Sequence, residues 1–146
     1  MPRQTPSQTA GPYVHIGLAP QAAGLTEAPK PLGVAEGDVV VMLRLFDGEG
    51  APVTDALIET FPIWQRAVAE DGIYRLHFET LPEVTGLWIA ARGLNAALVT
   101  RAYAPGVPIE GVPQDRAEPL RLQQRGDGFH MNIHLQRPEE TIFFEI

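Results

Sequence analysis

The chain contains no cysteine. Disulfides and thiolate metal sites are therefore excluded, and a metal held by side chains would have to use His, Asp, Glu or Tyr. Long hydrophobic runs are missing too, since no stretch approaches the roughly 20 apolar residues that a helix needs to cross a bilayer. The N-terminus MPRQTPSQTAGPYVHIGLAP also lacks the apolar core of about 7 to 15 residues that a secretory signal carries. A cytoplasmic location is the expectation. Positive charge is scarce: 11 Lys and Arg stand against 18 Asp and Glu, giving a formal charge of −7. The basic residues are scattered singly, so nucleic acid is a poor partner, because its affinity comes mostly from basic groups neutralising phosphates. The acidity reads as solubility. Helical periodicity is nearly absent, as apolar residues almost nowhere keep helical spacing for three turns.

What remains is a chain of 146 residues, 45% hydrophobic, punctuated by 14 glycines and 14 prolines. That length suits one domain with a core of its own. Residues 38–47, DVVVMLRLFD, form a β-branched run ended by Gly48-Glu49-Gly50, and residues 53–61, VTDALIETF, resume it as the predicted hairpin partner. Asp71-Gly72 is a tight-turn pair before IYRLHF, where Tyr74, Leu76 and Phe78 alternate with Arg75 and His77. Strands are also predicted over 87–93 and 96–103, with Leu94-Asn95 at the turn. Residues 104–119 hold four prolines and two glycines and predict an exposed loop. FHMNIHLQ, beginning at Phe129, alternates along its length, and TIFFEI at 141–146 reads as a last strand. About eight short strands between turn signals predict an all-β fold, a two-sheet antiparallel β-sandwich over 35–146. Residues 1–34, rich in Pro, Gly, Ala, Gln and Thr, predict an extended N-terminal arm, with Tyr13, Val14, Ile16 and Leu18 as apolar material for docking.

The histidines are His15, His77, His130 and His134. On a helix the last two would share a face and suit zinc. On a strand, at about 3.3 Å per residue, they lie roughly 13 Å apart and cannot grip one ion. Solvated surface histidines are the expectation there. No nucleophile elbow, P-loop or dinucleotide-binding glycine pattern is present. The acid pairs Glu70-Asp71 and Glu139-Glu140 sit beside turn residues and read as solvated carboxylates. The residues alone do not predict an autonomous enzyme.

The string from Thr5 to Leu18, TPSQTAGPYVHIGL, resembles the opening of α chains in the intradiol ring-cleavage dioxygenase family. VMLRLFDGEGAPVTDALIETF, DGIYRLHFETLP, ARGLNAALVTRAY and ETIFFEI resemble successive sandwich segments of the same family. The resemblance implies a hetero-oligomer in which a homologous β subunit carries Fe(III) on two tyrosines and two histidines. That enzyme would cleave protocatechuate with O2 between its hydroxyl-bearing carbons, giving 3-carboxy-cis,cis-muconate in the β-ketoadipate pathway of aromatic catabolism. A His-x-His strand would be needed to hold the metal, and the corresponding strand here runs Val84-Thr85-Gly86-Leu87-Trp88. An iron-free subunit with no catalytic residue and no metal ligand of its own is the implied role.

The resemblance further assigns Thr9, Gly11, Pro12 and Tyr13 of the arm to the partner's substrate pocket. Small residues suit a backbone that passes close to an aromatic ring. Arg92 is implied near the substrate carboxylate, where a guanidinium could pair with it; an ordinary strand-end charge is the alternative. The chain is shorter than the family pattern between Gln65 and Asp71, between Pro82 and Leu87, and after Tyr103. A catalytically inactive binding or assembly module on the same fold is the rival reading.

Overall fold

In the computed structural model, residues 36–136 and 138–145 are described. Among the described residues nine strands form two sheets. The strands are β1 (Val39–Phe46), β2 (Leu57–Phe61), β3 (Arg66–Ala67), β4 (Ala69–Glu70), β5 (Ile73–Phe78), β6 (Val84–Ala90), β7 (Leu98–Tyr103), β8 (Gln123–Arg125) and β9 (Gly128–His134). One sheet has the order β4-β5-β1-β9-β8 and the other β3-β2-β6-β7.

Alternation decides which side of each strand is buried. Val41, Leu43 and Leu45 of β1, Tyr74, Leu76 and Phe78 of β5, and Met131 and Ile133 of β9 point inward. They meet Ile58, Leu87, Ile89 and Ala102 from the other sheet in one core. The intervening residues of β1, β5 and β9 face outward, so the three strands alternate as their sequences predict. Asp71 and Gly72 both take positive φ, 52° and 74°, and close the two-residue hairpin between β4 and β5. The Asp47 carboxylate accepts the backbone N–H of Glu49 and of Ala51, fixing the turn after β1.

Five expectations are corrected. First, β1 and β2 are not a hairpin: after a single bridge between Phe46 and Pro52, the chain crosses to the other sheet. Second, the sandwich is not wholly antiparallel, because β1 pairs in parallel with β9 along seven residues while β5 takes its other edge. Third, residues 141–145 make no continuous strand. They run from β9 to β7, pinned by Thr141 N–H on His134 O, the Thr100 hydroxyl on Ile142 O and Phe144 N–H on Val99 O. Fourth, the proline-rich loop ends in a short helix, α1 (Gln114–Ala117), and a 3-10 turn (Glu118–Leu120) that drives Leu120 fully into the core. Fifth, His130 and His134 are half-buried on β9 and not freely solvated.

Candidate functional site

Arg92 follows the end of β6 and is largely exposed, with 58% of its side chain open to solvent. Its Nη2 pairs with the Asp55 carboxylate at 2.8 Å, on the segment leading into β2. The ion pair orients the guanidinium without enclosing it, leaving donors free to meet an anion. Thr9, Gly11, Pro12 and Tyr13, the other predicted substrate contacts, lie outside the described residues, as does His15.

Among the described residues, the tyrosines and histidines are not brought together. Tyr74 points from β5 into the core and is 0% exposed; its hydroxyl donates to Val53 O at 2.8 Å and accepts the Ala56 N–H at 3.1 Å. Burial, reinforced by Asp55 and opposed by the Ala56 hydrogen bond, pushes its pKa up to about 12. A ferric tyrosinate needs the opposite, a phenol that ionises readily and has a free oxygen face. Tyr103 lies buried in the other sheet, on β7 opposite Val84. His77 directs Nδ1 toward Gly37 O at 3.4 Å. The His134 ring stacks on Phe46, with centroids 5.1 Å apart. His130 has its Nδ1 buried without a hydrogen-bond partner, and burial, aided by Arg125 and Arg44, holds its pKa below the ordinary histidine value.

Strand β6 leaves Trp88 partly exposed and covers Gly86 with the Phe61 ring, with no imidazole on either face. Among the described residues no three His, Asp or Glu side chains converge as a metal site. Among the described residues, the donors are not arranged to hold a ferric ion.

One feature escaped sequence reasoning. Thr60 and Gln65, both buried, close a hydrogen-bonded frame around Phe61-Pro62-Ile63-Trp64, whose large side chains stand in solvent. The only available signal was a proline inside an apolar run, which breaks a strand without saying which way the side chains turn.

No protein-family model matches the chain. It is 31% identical over 148 residues to the protocatechuate 3,4-dioxygenase alpha chain of Pseudomonas putida, covering 94% of this chain and 71% of that one. With the protocatechuate 3,4-dioxygenase alpha chain of Burkholderia cepacia it shares 27% identity over 194 residues, covering 99% of this chain and 98% of the other. That alignment is longer than the chain itself, in keeping with the shortened segments. Among solved structures, the dioxygenase domain of a dioxygenase carbohydrate-binding fusion from Streptomyces sp. SirexAA-E is 18% identical, with a TM-score of 0.46 over 69% of this chain and 79% of that one. Catechol 1,2-dioxygenase from Acinetobacter sp. ADP1 is 12% identical, with a TM-score of 0.46 over 80% and 60%. On the strength of the 31% identity, spanning most of both sequences, the chain belongs to the family of protocatechuate 3,4-dioxygenase alpha chains.

Proposed function

We propose that the chain is the iron-free α subunit of a protocatechuate 3,4-dioxygenase and shapes the substrate pocket of a homologous β subunit that carries Fe(III). The observation that carries this reading is the similarity, over 94% and 99% of this chain, to two chains named as alpha chains. The donor arrangement supports it: Tyr74 is committed to a structural brace, and β6 offers no histidine to a metal. The pocket contribution is assigned to Thr9, Gly11, Pro12 and Tyr13 of an arm over residues 1–34, and to Arg92.

Arg92 is tethered by Asp55 and otherwise open, which suits a group that meets a carboxylate arriving from solvent. In the assembled enzyme, Arg92→Ala should raise KM for protocatechuate by up to roughly tenfold, the weight of one partly screened charge-assisted hydrogen bond. KM for plain catechol, which lacks the carboxylate, should barely change. Equal effects on the two substrates would remove the carboxylate role and leave Arg92 as the strand-end partner of Asp55. A stable homo-oligomer indifferent to an iron-bearing homologue would favour the binding-module reading over the subunit one.

A further inference from the structure

An exposed arginine ordinarily samples many rotamers, and a ligand that selects one of them must overcome the lost freedom. Arg92 is 58% exposed, yet its guanidinium is held by the 2.8 Å ion pair from Nη2 to Asp55 Oδ2.

The backbone is fixed on both sides of that pair. Val53 N–H donates to Leu45 O at 2.8 Å, which ties the segment before β2 to β1. The Tyr74 hydroxyl, sealed in the core, donates to Val53 O at 2.8 Å and accepts Ala56 N–H at 3.1 Å, so its two bonds flank Asp55. On the other side, Arg92 occupies a turn from Ala91 to Leu94. Leu94 N–H donates to Ala91 O at 3.2 Å, and Gly93 supplies the positive φ, 86°, that such a turn requires at its third position. Register brings the two residues together. Strands β2 and β6 pair Leu57 with Ala90, and two positions further the same antiparallel register sets Asp55 opposite Arg92.

Asp55 acts on an arriving anion in two opposed ways. It fixes the guanidinium, so less rotamer freedom remains to be lost on binding. It also sets a negative charge near the one that arrives. The first effect wins: Asp55 is itself 27% exposed, so its repulsion is screened by water and salt, whereas arginine is among the side chains with most rotamer entropy to lose. The acid engages the guanidinium at Nη2, and a planar fork of five N–H donors has others to offer.

We infer that Asp55 is a positioning residue: it holds Arg92 in the orientation in which the guanidinium meets the carboxylate of an aromatic acid, and the Tyr74 brace sets Asp55 in place. The inference rests on the carboxylate role proposed for Arg92.

A double-mutant cycle in the assembled enzyme tests it, reading KM and kcat for protocatechuate and for plain catechol. Asp55→Ala should raise KM for protocatechuate about threefold, within the range for ordering one flexible side chain on binding. Its kcat, its KM for catechol and its melting curve should stay at wild-type values, because the lost pair lies at the surface. Asp55→Asn keeps an acceptor oxygen at the same reach and should restore most of the loss. In an Arg92→Ala background, Asp55→Ala should add nothing. A lower KM for protocatechuate in both Asp55 variants would overturn the inference and make the acid a competitor of the substrate for Arg92. A rise shared equally by both substrates would also overturn it, leaving Asp55 a structural partner of the turn. If Arg92→Ala separates the substrates and Asp55→Ala does not, the inference alone fails; if Arg92→Ala does not separate them, the carboxylate role fails and takes the inference with it.

Discussion

Deleting residues 1–34 should lower kcat/KM of the assembled enzyme for protocatechuate by roughly a hundredfold, the cost of losing a wall that positions the substrate and excludes water. Among the described residues the core begins at Val41, with Val39 packed against it, and the truncated chain should keep the melting curve of the full chain. In the proposed reading Gly11 and Pro12 let the arm pass close to an aromatic ring, and Tyr13 supplies a flat face beside it. Gly11→Val should therefore reproduce much of the loss without removing any chain. Activity within twofold of the intact complex would show that the arm forms no part of the pocket.

Tyr74→Phe should destabilise the chain by about 2–3 kcal/mol, because the lost hydroxyl leaves the Ala56 N–H buried and unsatisfied. That hydroxyl ties β5 to the segment entering β2 and so joins the two sheets. The same brace has a pH signature. Because the folded pKa of Tyr74 is raised from 10.0 to about 12, its contribution is complete below the unfolded value and is lost as pH rises through the folded one. Urea midpoints of the wild type should fall between these pH values more steeply than those of the variant. Equal midpoints at neutral pH would deny the brace and reopen Tyr74 as a candidate ligand.

The parts of the fold legible in the sequence are those set by neighbours along the chain. Strands β1, β5 and β9 announce themselves by alternation, and the Asp71-Gly72 turn by residues that tolerate positive φ. Pairing across distance left no such mark. Val40 to Phe46 lie in parallel beside Gly128 to His134, and no local pattern distinguishes that arrangement from a hairpin with 53–61. TIFFEI has the composition of a strand, but only Phe144 bridges to β7 because the segment crosses between sheets. His130 and His134 alternate outward as predicted, yet Phe46 covers one ring and burial isolates a nitrogen of the other. At the candidate site, the missing His-x-His pair was plain in the letters. The Asp55 tether on Arg92 and the Thr60-Gln65 frame required coordinates, since each joins residues from different elements.

The most direct measurement is iron binding and oxygen uptake by the purified chain, alone and after mixing with the iron-bearing homologue. Loaded with Fe(III) by itself, the chain should show no tyrosinate absorption and consume no O2 with protocatechuate, and both signals should appear once the partner is added. A coloured, iron-loaded and active preparation of this chain alone would contradict the assignment.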